Sequence, residues 1–256
     1  MSLFDTHAHL DFPQFAEDRA ALLAELKARQ VAVINVGVDL ASSRASLELA
    51  RGRPYLFAAC GVHPHSAGDY CPEAEQELEG LLRMGAVAVG EIGLDFYRGL
   101  SPKEAQEAAF RAQLRLARRL DLPVILHQRA AEEAFLKVLA EEGPVRGVAH
   151  AFSGDAAYAH RLVGMGLYLG IGGPLTYRRN EGLRRAVRQV PQERLLLETD
   201  SPFLPPEPLR GKRNDPTKVG LVALRLAELL GMKPDELAEA TFQNACRLFG
   251  VRLCFL

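Results

Sequence analysis

Short apolar runs rich in Val, Ile and Leu alternate along this chain with longer segments whose apolar residues recur every three or four positions. The runs fall at residues 3–6, 31–37, 55–61, 86–91, 124–127, 147–151, 167–171 and 195–199. None shows the apolar–polar alternation of a half-exposed strand. Continuous apolar character means burial on both faces, the condition of a parallel strand covered by helices. Helical patterns lie between the runs, at 18–29, 41–51, 72–84, 102–120, 130–142, 155–165 and 181–189, and two more follow the eighth run, at 215–230 and 234–249. The first sets Leu22, Leu23 and Leu26 on one face. Capping signals open several of them: Asp18, Asp39, Ser101 before Pro102, and Ser153 with Asp155, all residue types that satisfy or tolerate the free N–H groups of a first turn.

Eight strand–helix units in 256 residues predict an α/β fold of the (β/α)8, TIM-like type, distorted to some degree and carrying additional C-terminal helices. An open doubly wound sheet competes, but it commonly has fewer strands and a Gly-rich phosphate turn. Neither GxGxxG nor GxxxxGK[ST] occurs. With no internal repeat, no Pro- or Ser-rich linker and no low-complexity stretch, residues 1–256 read as a single barrel domain. The Pro-rich stretch at 201–208 reads as a loop after the eighth strand.

In such a barrel, polar residues at the C-terminal strand ends face the site mouth. Those ends carry His7 and His9, His63 and His65, Glu91, His127, His150 and Asp200, so six of the seven histidines gather there and only His160 lies elsewhere, in a helical pattern. Imidazole and carboxylate without thiolate suit a divalent ion such as Zn²⁺, Mn²⁺ or Mg²⁺. In H-A-H the two imidazoles sit two residues apart, on one side of an extended chain, so His7 and His9 can grip one ion. Asp200 can complete that site from the strand that adjoins the first when a barrel closes. His127 and His150, on neighbouring strands, can hold a second ion, and Glu91 has two oxygens with which to bridge both. Two ions about 3.5–4 Å apart activate water and clamp a developing charge.

A basic signal lies nearby. Tyr177-Arg178-Arg179-Asn180 follows the seventh strand, and Arg210-Gly211-Lys212-Arg213-Asn214 follows the eighth. The loops after strands seven and eight of a barrel often hold phosphate, and guanidinium and ammonium donors suit phosphodiester oxygens. Phe12, Phe15, Phe96 and Tyr97 follow ligand positions and can either stack on bases or fill the mouth.

Composition narrows the classes. Hydrophobic residues make up 48% and charged residues 25%, which excludes intrinsic disorder. The 31 Lys and Arg against 32 Asp and Glu exclude binding of nucleic acid through bulk positive charge, though not through a local patch. No apolar run approaches the ~20 residues of a membrane helix, and MSLFDTHAHL has neither the basic nor the apolar region of a leader. Cys60, Cys71, Cys246 and Cys254 show no CxxC spacing. Reduced thiols in a cytoplasmic protein, with no membrane contact and no obligate protein partner, are the expectation.

These features together resemble the TatD family of metal-dependent deoxyribonucleases in the amidohydrolase superfamily. The motifs are D-T-H-A-H-L-D at 5–11, G-V-H-P-H at 61–65, G-E-I-G-L-D at 90–95, L-P-V-I-L-H-Q-R at 122–129, A-H-A-F-S-G at 149–154, I-G-G-P at 171–174, L-L-L-E-T-D-S-P-F-L at 195–204 and R-G-K-R-N at 210–214. They stand in family order and span nearly the whole chain. The resemblance implies a distorted barrel with a two-metal centre: His7, His9 and Asp200 on one ion, His127 and His150 on the other, Glu91 between. It implies Mg²⁺-supported 3′→5′ exonuclease action on DNA, with RNA cleavage or deacylation of D-aminoacyl-tRNA reported for some members. The superfamily's carboxylated Lys on strand four has no counterpart, because Glu91 occupies that place. Two positions depart from the family pattern. Ala151 stands where Cys is frequent, and Ala130 stands where an Asp often follows H-x-R, which removes a carboxylate near His127.

The expected reaction is metal-assisted hydrolysis, with Asp200 as general base, Glu91 joining the ions, and His63 steadying the phosphate with Arg129 or with Arg210, Lys212, Arg213 and Asn214. His65 joins the expected phosphate contacts. Three readings stay open: a nuclease at DNA ends, an acyl- or amide-bond hydrolase such as a D-aminoacyl-tRNA deacylase, and a metal-bearing scaffold without catalysis.

Overall fold

Eight parallel strands run in chain order around a nearly closed barrel in this computed structural model, which describes residues 2–253. The strands are β1 (Leu3–Ala8), β2 (Val31–Val36), β3 (Leu56–Cys60), β4 (Ala88–Asp95), β5 (Val124–Arg129), β6 (Gly147–Ala149), β7 (Tyr168–Ile171) and β8 (Leu195–Leu197). Helices α1 (Arg19–Ala28), α2 (Leu40–Ala50), α3 (Pro72–Arg83), α4 (Lys103–Arg119), α5 (Glu132–Glu142), α6 (Ala156–Gly164) and α7 (Glu181–Val187) form the connections, followed by α8 (Val219–Leu230) and α9 (Pro234–Phe249). Every strand expected from the apolar runs is present. β4 continues four residues past its expected end at Glu91, and β5 continues two past His127. β8 stops two residues short, so Thr199 and Asp200 lie beyond it. The expected helix at 215–230 is divided into a short 3₁₀ turn, Pro216–Lys218, and α8.

The core explains the continuous apolar runs. Alternate strand residues such as Val31, Val33, Val124 and Leu195 pack outward with the helices. Their neighbours, including Phe4, Ile34, Ile125 and Leu196, fill the barrel interior. α9 supplies Phe242, Ala245, Leu248 and Phe249 to that interior cluster, with the Phe4 and Phe242 rings 5.8 Å apart. Burial on both faces is the condition that removes period-two alternation from a sequence.

The β1–β8 seam is joined mainly at the strand ends that carry the polar residues. There His9 N–H donates to Ser201 O at 2.8 Å and Asp200 N–H to His7 O at 2.9 Å. Buried Asp5 ties the seam more tightly, accepting from Thr199 N at 2.8 Å and Thr199 Oγ1 at 2.5 Å. Two register shifts interrupt the sheet, one in β1 between Asp5 and Ala8 and one in β4 between Val89 and Ile92. They fall on the strands that carry His7 and Glu91, and shifts of this kind re-aim side chains.

The expected caps are partly different. Asp39 and Ser42 form a reciprocal capping box, and Asp155 accepts from Tyr158 N. Asp18 makes no cap and instead pairs with Arg213, while Ser101 Oγ donates to His65 O. Cys60, Cys71 and Cys246 are free thiols, and Cys254 lies outside the described residues. No helix among the described residues is long and apolar enough to cross a membrane.

Candidate metal centre

Glu91 is the hub. Its side chain is buried on β4, and its two oxygens face different partners. Oε2 lies 3.4 Å from His7 Nε2 and 3.9 Å from His9 Nε2. Oε1 lies 2.8 Å from His127 Nδ1, 3.2 Å from His150 Nε2 and 3.7 Å from His63 Nε2. Burial alone would raise this carboxyl's pKa, but the imidazoles of His150, His63 and His7 hold it well below the ordinary range.

On the Oε2 side, His7 and His9 bring their Nε2 atoms to 3.2 Å. Asp200 Oδ1 lies 3.9 Å from the first and 3.6 Å from the second. An ion with ligands at about 2.0–2.2 Å needs donors about 3–3.6 Å apart; the His7–His9, His7–Glu91 and His9–Asp200 pairs lie in that range, and the two pairs at 3.9 Å would close slightly on an ion. The tautomer of His9 fits as well. Its Nδ1 lies 2.8 Å from Val36 O, which keeps the proton on Nδ1 and leaves the Nε2 lone pair aimed into the cluster. Asp200 stands at φ +58°, a left-handed conformation that costs a non-glycine residue of order 1 kcal/mol and clusters at functional sites.

The Oε1 side is looser. His127 and His150 both abut that oxygen, yet their ring centroids are 5.9 Å apart. His63, Glu91 and His127 bring one donor atom each within 4.8 Å of one another. Proton placement nevertheless separates His63 from the others. Its Nδ1 accepts from His65 N at 3.1 Å, so the neutral ring carries its proton on Nε2, and burial pushes its pKa down to about 3. His63 therefore presents an N–H toward the site. A donor suits an anionic oxygen better than a cation.

The other expected residues are scattered. His65 Nε2 pairs with Asp95 Oδ2 at 2.8 Å, behind His63. Arg129 ends β5 and stacks on Tyr97, its guanidinium 4.0 Å from the ring centroid. Arg210 stacks on Tyr177 at 4.4 Å, and Lys212 is exposed. Arg213 is committed elsewhere, with a two-point pair to Asp18 and a contact with the Phe15 ring. Asn214 is buried, donating to Thr199 O and Phe203 O, and so holds the loop after β8. His160 is exposed, as its helical pattern suggests.

Residues 4–250 match the family model for the TatD-related DNases. The chain belongs to the TatD family. It is 40% identical to the Bacillus subtilis metal-dependent hydrolase YabD, over 97% of this chain and 99% of that one. It is 36% identical to the Salmonella typhimurium 3′-5′ ssDNA/RNA exonuclease TatD, over 97% and 99%. The crystal structure of the Escherichia coli TatD homologue YjjV superposes with a TM-score of 0.91 at 36% identity, covering 98% of each chain. The protein is thus a hydrolytic enzyme of the TatD family, with His, Glu and Asp clusters able to bind metal.

Within this TatD-family site, two carboxylates escaped assignment from the sequence. Glu198 is buried, accepts from Ala151 N at 2.6 Å, and places Oε1 3.2 Å from His150 Nδ1. Asp95 sets Oδ2 3.4 Å from His127 Nε2, opposite the nitrogen that meets Glu91. His127 thus has a carboxylate beside it although position 130 is Ala. At Ala151 the site uses a backbone N–H rather than a side chain. The signal was present in both cases: Glu198 directly follows the apolar run L-L-L, and Asp95 stands four residues after Glu91, closing the apolar I-G-L. Carboxylates behind metal-binding histidines typically contribute 10–100-fold to metal affinity or activity. Glu198→Gln should therefore weaken metal binding by about that factor, read by titration calorimetry on the refilled protein, with the melting curve of the metal-free form unchanged. Unaltered affinity would leave Glu198 a purely structural acceptor for Ala151.

Proposed function

We propose that this protein is a 3′→5′ exonuclease on single-stranded DNA or RNA ends and that it works with two divalent ions. The observation that carries this reading is the Glu91 carboxylate, with one oxygen turned to His7 and His9, which Asp200 adjoins, and the other to His127 and His150. His7, His9, Asp200 and Glu91 would hold one ion; His127, His150 and Glu91 would hold the other. Such ions supply Lewis-acid stabilisation of the phosphoryl oxygens and an acidified water. Mg²⁺, Mn²⁺ and Zn²⁺ are all compatible with the donor set. The names of the TatD exonuclease relatives support the substrate, and the free thiols support a reducing, cytoplasmic setting.

The chain's own groups have defined tasks. Asp200 is held as the carboxylate: burial opposes ionisation, but His9, His150 and His7 outweigh it. It is the base that accepts the proton of the attacking water. His63 Nε2–H donates to a non-bridging phosphate oxygen, and Arg129 offers a second donor from the end of β5. Glu198 and Asp95 hold His150 and His127 in orientation from behind.

The test is nucleotide release from a single-stranded oligonucleotide labelled at its 3′ terminus, with Mg²⁺, Mn²⁺ or chelator, beside a D-aminoacyl-tRNA. Mononucleotides should appear with metal and disappear with chelator. Release of free amino acid from intact tRNA, with the oligonucleotide untouched, would replace this reading with acyl-bond hydrolysis.

A further inference from the structure

The loop after β8 joins two features that the reaction itself does not use. At its start, three residues beyond Asp200, stands Phe203, a large hydrophobic side chain that is 46% exposed. Its ring lies 6.2 Å from Phe12 and 6.3 Å from His9, edge-on to both, while Phe12 stacks on His9 at 4.7 Å. An aromatic surface thus opens directly from the Oε2 side of the metal centre. At the loop's other end Arg210 lies over Tyr177, and with Arg178, Arg179 and Glu207 it lines a pocket of about 460 Å³. That volume falls within the ~300–1,000 Å³ of ligand sites.

The pocket's charge is unbalanced. Three guanidinium groups face one carboxylate, and among the described residues no ion pair is found for Arg178, Arg179 or Arg210. Several surface arginines are paired, as in Arg146 with Asp121, Arg161 with Glu133 and Arg213 with Asp18. Others such as Arg51, Arg98 and Arg185 have no ion pair among the described residues, but here three unpaired guanidinium groups line one pocket. The pocket is also held in shape. Tyr177 Oη donates to Pro205 O at 3.2 Å, and Glu207 N donates to Thr176 Oγ1 at 2.8 Å, which pins the β8 loop to the turn after β7. At the aromatic end, Phe203 N donates to Asp200 O at 2.8 Å and Asn214 Nδ2 to Phe203 O at 2.7 Å.

Exposed aromatic faces leading to a cationic groove are the two components of a single-strand binding track: the rings stack unpaired bases and the guanidinium groups follow the backbone. We propose that the β8 loop is such a track, with Phe203 and Phe12 stacking a base beside the metal centre and the Arg178–Arg179–Arg210 pocket holding a phosphodiester further along the strand. The proposal rests on the exonuclease reading and names how that site would take a strand rather than a mononucleotide.

Two variants divide it: Phe203→Ala, and Arg178→Ala/Arg179→Ala/Arg210→Ala together, all at exposed side chains that are not themselves metal ligands. Binding of a fluorescent, cleavage-resistant phosphorothioate dT12 by the metal-loaded protein is read by anisotropy over a salt series. Phe203→Ala should weaken binding about tenfold without changing the salt slope. The triple variant should weaken binding and lower the log–log slope by about 0.7 for each phosphate released. In turnover, KM for a 12-mer should rise about tenfold in either variant with kcat kept, because stacking and remote phosphate contacts act equally on ground and transition states. The dinucleotide should be cleaved by Arg178→Ala/Arg179→Ala as by the unaltered protein. Unchanged dT12 affinity in both variants overturns the track, as does an equal loss on dinucleotide and 12-mer in Arg178→Ala/Arg179→Ala. Tight dT12 binding that the variants weaken, without metal-dependent cleavage of any nucleic acid, would sink the nuclease reading and leave the track standing.

Discussion

Glu91→Gln should reduce turnover by about 10³-fold or more, since several kcal/mol of charge stabilisation at the transition state depend on ions held in place. Gln keeps the volume of the side chain but carries no charge and offers one carbonyl oxygen instead of two equivalent acceptors. The buried carboxylate meets five imidazoles within 4 Å, and its charge is the one placed among all of them. Metal content distinguishes the mechanism from a folding defect. Elemental analysis should show the stoichiometry falling below two ions per chain, while circular dichroism and the elution volume stay unchanged. His7, His9 and Asp200 remain as three ligands for one ion, so partial rather than complete loss of metal is the expected pattern. A Glu91→Gln protein that keeps two tightly bound ions, or that turns over at a near-native rate, would remove Glu91 from the bridging position.

The barrel was legible because its physics is written along the chain: strands buried on both faces need unbroken apolar runs, and eight such runs separated by helical patterns leave few topologies. The site was legible for the same reason, since His, Glu and Asp at the ends of apolar strands have no structural business there unless something pairs them. What stayed hidden depends on proton placement and on contacts across the chain. Proton placement on His63 follows from the backbone N–H of His65 on its Nδ1, a detail of the H-P-H turn that no spacing rule contains. Arg213 looked like a phosphate donor, but its partner Asp18 lies 195 residues away in the chain. Asn214, in the same basic stretch, is a buried brace for the β8 loop. Strand ends also carried information that the apolar pattern could not: β4 runs past Glu91 to Asp95 because it stays paired with β5 as far as Arg129, which sets Asp95 beside His127 with its N–H on Gln106.

The second large effect is expected at Gly93, between Glu91 and Asp95. Its φ is +144°, a conformation that side chains rarely adopt, and a Cβ built there would lie 1.9 Å from His127 O. The obstacle is backbone. Gly93 pairs with His127 in the β4–β5 register, and Leu126 O on the same strand accepts from His150 N, so β5 cannot recede without disturbing β6. Gly93→Ala should therefore destabilise the fold by roughly 3–5 kcal/mol through backbone strain and overpacking. At about 2–4 °C per kcal/mol for a chain of this size, Tm should fall by roughly 10 °C. The loss should not be confined to stability. The displaced strand carries His127, so the metal-free protein that does fold should refill its Oε1 side poorly. Gly80 provides the control, since it lies exposed inside α3 with nothing within 4 Å of a built Cβ. Gly80→Ala should raise stability by about 0.5–1 kcal/mol, because Ala loses less backbone freedom than Gly on entering a helix. Opposite shifts from one substitution type, measured by the same thermal melts, would tie the β4 glycine to the close approach of β5 that sets Glu91 against His127. A Gly93→Ala protein as stable as the parent would show that the two strands can part at this point, and the fixed Glu91–His127 geometry would lose its physical basis.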